Sequence, residues 1–285
     1  MGKRKNGGGG GGKDKKRQRC HALIEPGQYG VYASCARFKE VAAAKEMRLL
    51  LQDAIEKHYP KAEEEGGEGE DAKEDEKEDE KEDEKAVDIE DEIAKELAEL
   101  KKNDDRSKQN RNNKDLVLRE IPLGVESLTF FKLKQPVTPS SLVVAVCRDL
   151  YASGAKTGRF VQKLIPVDRS CNATKIEFDK LLAATVDAFV QEETARGGDA
   201  RTALETYNVN LVKRNFDTIS RDEFMETVKE KLDDTFGAGW CRLQYKGART
   251  LLNIYCFKNN IGMSVVPNDA FEELAKFNVQ QIFDK

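Results

Sequence analysis

The sequence is poor in the residues that build metal sites, disulfide frameworks and membrane spans. Only His21 and His58 supply imidazole, and the six cysteines stand singly at 20, 35, 147, 171, 241 and 256 with no Cys-x-x-Cys pair. Structural zinc takes four N or S ligands at short characteristic spacings, so no metal site is expected. Several of these cysteines fall on apolar faces of predicted elements, where a reduced thiol acts as a small hydrophobe, and this points to an intracellular protein. No apolar run nears the roughly 20 residues that cross a bilayer, and the polar N-terminus has no signal-peptide pattern. The sequon Asn172-Ala173-Thr174 then carries no meaning. The single Trp240 and the scattered tyrosines make no pocket signature, and no His lies beside an acidic pair.

A nucleotide-binding loop is also missing. Gly154-Ala155-Lys156-Thr157-Gly158 holds Walker-type residues, but a predicted helix precedes it and a predicted strand follows, the reverse of the order that aims backbone amides at phosphates. Two readings stay open for this turn, a cationic contact with an RNA phosphate or an ordinary solvated turn.

Net positive charge is lacking too in the total of −4 over 285 residues, but that total misleads. Residues 61–85 hold 15 Asp plus Glu against 5 Lys, a local −10, so the other 260 residues carry +6. A mildly basic remainder suits a partner rich in phosphate. The first 19 residues place Gly7 to Gly12 between two basic clusters, 8 cations against Asp14, a composition that does not fold alone.

What is present is an alternation of periods. Tyr29 to Ala36 reads as a strand and Lys39 to His58 as an amphipathic helix. Past the acidic insert, Ile89, Ile93, Leu97 and Leu100 resume helical spacing, residues 103–114 are polar, and Leu116 to Ile121 and Leu128 to Leu133 read as strands. From Ser140 to Asn215 helix-like and strand-like segments alternate with cations at the turns. Val143, Val146, Cys147 and Leu150 mark a helix ended by Gly154, and Phe160 to Val167 a short strand cut by Pro166. Phe178, Leu182, Val186 and Phe189 mark a second helix, and Thr206 to Asn215 a second strand. Ser220 to Glu223 forms a capping box opening a further helix. Trp240 to Tyr245, Leu251 to Phe257 and Met263 to Val266 read as strands. The last residues, with Phe271, Leu274, Ile282 and Phe283, read as an amphipathic helix expected to pack on its own domain.

The runs "YASGAKTGRFVQKLIPVDRSCNAT", "TYNVNLVKRN" and "SRDEFMETVKEKL" resemble the THUMP domain, and within it the eukaryotic adaptors of tRNA cytidine acetylation. The resemblance covers roughly the C-terminal half. It implies a domain that binds tRNA by its acceptor end, beside a ferredoxin-like domain. It also implies an adaptor that brings serine and leucine tRNAs to a separate RNA cytidine acetyltransferase for N4-acetylcytidine formation in the D arm. The expected fold is therefore α+β: a basic Gly-rich disordered tail (1–27), a ferredoxin-like domain (28–134) with a disordered acidic insert (about 61–86) and a polar linker (about 102–114), a THUMP domain (138–266) and a C-terminal amphipathic helix (267–285).

Lys156, Arg159, Lys163, Arg169, Lys213, Arg214, Asn215, Lys258 and Asn259 lie in or beside turns and strand ends and are the expected RNA contacts. No catalytic residue, metal or cofactor is expected, because only a short tail follows Val266 where THUMP enzymes append a catalytic domain. The expected state is a monomer when free, in the nucleus or nucleolus, with the cytoplasm as the alternative. A stand-alone RNA-modifying enzyme and a protein working through its acidic insert are the competing readings.

Overall fold

The computed structural model describes residues 24–60, 117–154 and 158–282. The expectations for most of the N-terminal tail, the acidic insert, the Ile89–Leu100 helix, the polar linker and Lys156 lie outside these residues.

The first unit runs β1 (Gly30–Cys35), α1 (Glu40–His58), β2 (Leu118–Ile121), β3 (Leu128–Leu133), α2 (Pro139–Ser153) and β4 (Val161–Val167). Its strands lie in the order β2-β3-β1-β4 with every neighbour antiparallel, the βαββαβ arrangement of a ferredoxin-like domain. The second unit runs β5 (Arg169–Asn172), α3 (Lys175–Ala195), α4 (Ala200–Ala203), β6 (Thr206–Arg214), α5 (Arg221–Phe236), β7 (Arg242–Leu243), β8 (Thr250–Phe257), β9 (Asn260–Pro267) and α6 (Asn268–Glu273). Its sheet has the order β5-β9-β8-β6-β7, with β6 parallel to both β8 and β7.

Local chemistry sets the helices. α1 buries Ala43, Ala44, Met47, Leu51, Ala54 and Ile55 at three- and four-residue spacings. α2 starts with Pro139, whose missing N–H costs nothing in a first turn, and stops at Gly154, whose φ of 59° suits glycine. In α5 the Ser220 hydroxyl accepts the Glu223 N–H while the Glu223 carboxylate accepts the Ser220 N–H, completing the expected capping box.

Three expectations are corrected. The helix at 139–153 and the strand at 161–167 belong with the first sheet, because β4 pairs along β1, Tyr32 opposite Ile165 and Gly30 opposite Val167. The boundary therefore falls at Asp168 and not near residue 135, and Ser140 to Asn215 spans two units. Pro166 is tolerated inside β4 because β4 is an edge strand. The tail expected to run to residue 27 gives way to folded chain by Ile24: Ile24 is buried and the Gly27 N–H donates to the Ser170 carbonyl at 3.0 Å.

The C-terminal segment is a short helix and a 3-10 turn, Ala275–Phe277, whose three residues all have positive φ. It does not stay on its own unit. Phe271, Leu274, Phe277, Val279 and Ile282 join the core of the first, and the Val279 N–H donates to the Gln162 carbonyl at 2.8 Å.

Each sheet is covered by helices on one face, and the other faces meet. In β1, Val31, Ala33 and Cys35 point to the α1–α2 core, while Tyr32 joins Phe130, Tyr255 and Phe257 in a separate cluster. The Tyr32 ring lies 4.6 Å from Phe130 and 4.7 Å from Tyr255 between centroids, so one aromatic side chain links the two sheets. Gly262 lets β9 approach β4 closely: a Cβ there would stand 2.7 Å from Val167 Cγ1.

Candidate nucleic-acid interface

The parallel register of β6 and β8 pairs Lys213 with Cys256 and Arg214 with Phe257, so both strands finish together. Asn215 and Lys258 follow, both left-handed at φ 51° and 53°, and the Lys258 N–H donates to the Arg214 carbonyl at 3.2 Å. Left-handed backbone is rare outside glycine and is tolerated best by Asn, so the two strand ends turn away sharply and present consecutive polar side chains. Lys213, Arg214, Asn215, Lys258 and Asn259 thus form one group at one edge of the sheet.

The cations of this group are not equally available. The Lys213 ammonium donates to the Ile219 carbonyl at 2.9 Å and lies 5.7 Å from the Phe216 ring, a cap on the loop before α5. Arg214 is half-buried, lies against the Tyr255 hydroxyl and donates to the Glu126 carbonyl of the first unit. Lys258 sits 5.3 Å from the Phe257 ring, and the Asn259 carbonyl accepts the Ala173 N–H.

A neighbour that periodicity did not single out stands beside them. The Arg37 Nε donates to the Glu126 carboxylate at 2.7 Å, which puts it on the residue whose carbonyl Arg214 engages. Next to it Phe38 is 72% exposed with φ 61°, an exposed aromatic held in a strained conformation. Glu40 braces it, accepting the Ser127 N–H at 2.7 Å and the Phe38 N–H at 3.1 Å, and the Ser127 bond chiefly holds its carboxyl below the usual range. The sequence signal was the Arg-Phe pair directly after a strand, and only the fold brings it to Arg214.

The other expected contacts lie elsewhere. Arg159 and Lys163 flank the C-terminal segment. The Arg159 carbonyl accepts the Gln280 side chain at 3.1 Å, and its guanidinium lies 5.5 Å from the Phe160 ring. The Glu46 carboxylate holds this entry to β4 by accepting the N–H groups of Arg159, Phe160 and Val161. Lys163 is half-buried, 5.5 Å from the Phe271 ring, and burial, aided by Lys276, lowers the pKa of its ammonium. Arg169 is exposed at the start of β5, opposite Met263 and beside Asp168. The nine residues therefore do not share one face: five gather, two stand at β4, one lies at the junction and one is outside the described residues.

Among the described residues thiol chemistry has little footing. Cys35, Cys147, Cys171, Cys241 and Cys256 are buried, and burial pushes Cys35 and Cys241 up to about 11 and Cys171 and Cys256 up to about 12, so they stay protonated at neutral pH. Among the described residues no three His, Cys, Asp or Glu side chains are grouped to hold a metal ion, and no helix is long and apolar enough to cross a membrane.

Along its full length the chain is 31% identical to "tRNA acetyltransferase TAN1" of Saccharomyces cerevisiae, covering 96% of that protein. It belongs to the TAN1 family of THUMP-domain proteins. An uncharacterized relative, C25H2.10c of Schizosaccharomyces pombe, is 25% identical over 91% of this chain and 77% of its own length. No family model matches. Among solved structures, PH1313 of Pyrococcus horikoshii shares 7% identity over 84% of this chain and 55% of its own at a TM-score of 0.42, too loose a likeness to bear on function. Membership of the TAN1 family fits the observed pair of units, a ferredoxin-like domain followed by a second mixed sheet.

Proposed function

We propose that this chain is a non-catalytic tRNA-binding adaptor for RNA cytidine acetylation. It grips serine and leucine tRNAs and presents a cytidine of the D arm to a separate acetyltransferase that makes N4-acetylcytidine. The observation that carries the reading is the full-length relationship to a protein named a tRNA acetyltransferase. The Lys213–Asn215 and Lys258–Asn259 edge supports it, since cations and amides on strand ends suit contacts to phosphate and 2′-hydroxyl groups that read shape more than base identity. Tethering RNA at such an edge raises its effective concentration at the partner's active site with no chemistry in this chain. A mixture of acetyltransferase, ATP, acetyl-CoA and serine tRNA should form N4-acetylcytidine only when this chain is added. Equal product without it overturns the adaptor reading.

The name of the yeast relative favours a second reading, in which this chain itself transfers the acetyl group. The same assay separates the two. Product from this chain, acetyl-CoA and tRNA alone would make it the enzyme.

A further inference from the structure

At the opposite end of β6 and β8, eight residue rises or about 26 Å from the cationic edge, a loop displays aromatic side chains to solvent. Trp240 is 41% exposed, Leu243 39% and Tyr245 66%, three of the large exposed hydrophobics within six residues. The segment is firmly held. Cys241 and Ala248 are buried at its two ends, the Arg242 N–H donates to the Glu205 carbonyl at 2.9 Å, and the Gln244 N–H donates to the Tyr207 carbonyl at 2.8 Å. The Trp240 indole N–H donates to the Arg201 carbonyl at 3.1 Å while the Arg201 guanidinium stacks on the ring at 4.0 Å. Before the loop, the Asp233 carboxylate accepts the Gly239 N–H at 2.8 Å.

Exposed aromatics cost solvation, and pinning them in a rigid loop prevents their collapse onto the surface, so the patch is built to be covered. Its cations are held in fixed positions around the aromatics. Arg242 and Arg249 both reach the Glu205 carboxylate, at 2.9 and 3.4 Å, and Arg201 is on the indole. Nucleic acid is held by cations that meet phosphates, whereas Trp, Tyr and Arg around an apolar centre is the composition of protein hot spots. Arg201, Arg242, Lys246 and Arg249 share the patch with the carboxylates of Glu205 and Asp199, while Asp233 is paired with Lys229, so the patch keeps an excess of two cations and the complementary face is acidic.

We infer that the Trp240–Arg249 loop is the protein-docking surface of this chain, taking a partner whose apolar pocket is rimmed by carboxylates. Resting on the adaptor reading, this partner is the acetyltransferase, bound at one end of the sheet while RNA occupies the other.

The test uses the full chain, with Trp240→Ala plus Tyr245→Ala as one variant and Tyr245→Glu plus Lys246→Glu as a second that spares the indole packing. Thermal melting confirms that each is folded, and serine tRNA and the purified acetyltransferase are titrated separately. Both variants should keep tRNA affinity within about twofold and lose acetyltransferase affinity by about tenfold or more. Lost tRNA affinity with intact enzyme binding would make the patch an RNA surface and overturn the inference, as would no change in either. If the wild-type chain fails to bind the acetyltransferase, the adaptor reading falls with it. If the wild type binds and the variants bind equally well, only the docking surface falls.

Discussion

The Arg214 guanidinium at the end of β6 donates to the carbonyl oxygen of Glu126, in the turn between β2 and β3 of the other unit. A cation expected to meet RNA is thus also a strut between two domains, which separates it from its exposed neighbours. Hydrogen bonds from charged donors contribute about 1.5–3 kcal/mol. Arg214→Ala should lower stability in urea by roughly that amount along with tRNA affinity. Lys258→Glu should leave the melt within about 0.5 kcal/mol, weaken tRNA binding and reduce the salt slope by about one. An unchanged salt slope would remove Lys258 from the interface.

Gly262→Ala tests the close approach of the sheets. With the added Cβ 2.7 Å from Val167 Cγ1, something must shift, and overpacking of this kind costs about 1–3 kcal/mol. Val167→Ala in the same chain should recover part of that loss in denaturant melts. Additive losses would show that the contact is not what Gly262 is for.

Asp168 joins the two units and accepts the Ser140 N–H in the first turn of α2 at 2.8 Å. Burial raises its carboxyl to about 6 from an ordinary 3.8, against the opposing Ser140 bond. Because the folded pKa lies above the unfolded one, the native state binds the extra proton between about pH 4 and 6. This group's contribution therefore becomes more favourable as pH falls through 6 and is complete near 4. Asp168→Asn keeps an oxygen for the Ser140 N–H and has no proton to take up. The stability of the wild type minus that of the variant should rise by about 1–3 kcal/mol from pH 7 to pH 4. A flat difference would mean that the side chain is better solvated than its position implies.

Glu46 holds three consecutive backbone N–H groups, those of Arg159, Phe160 and Val161. Its replacement by Ala should cost about 1–3 kcal/mol and speed hydrogen exchange at those three amides, whereas Gln, which keeps an acceptor oxygen, should cost less. Equal protection in the Ala variant would show that β4 entry is held by the Val279–Gln162 contact instead.

Much of the secondary structure was legible because its causes are local. The α5 capping box, the stop at Gly154 and the period of Val143, Val146 and Leu150 each need only a few adjacent residues, and each appears as expected. Alternation over Trp240 to Tyr245 predicts a longer strand than β7, since alternation marks which residues can form a strand but not how many find a partner; only Arg242 and Leu243 pair. The C-terminal segment is likewise less helical than its spacing predicts, because near-helical spacing of apolar residues also fits a turn that buries Phe271 against Phe277.

The sequence by itself determined most of the longer elements, the charge segregated into one insert and the family resemblance, all of which reside in local spacing and composition. Only the tertiary structure decided which sheet 161–167 joins, that the C-terminal residues cross to the first core, and that five of the nine expected contacts meet at one edge. Strand partners are chosen by pairing and burial between residues far apart in the chain, and β4 takes its place because Tyr32 and Ile165 must share one buried face. The same distance dependence divides the cations. Lys213 and Lys258 stand together because two parallel strands end in register, while Arg169, closer in sequence to Lys163, faces a different junction.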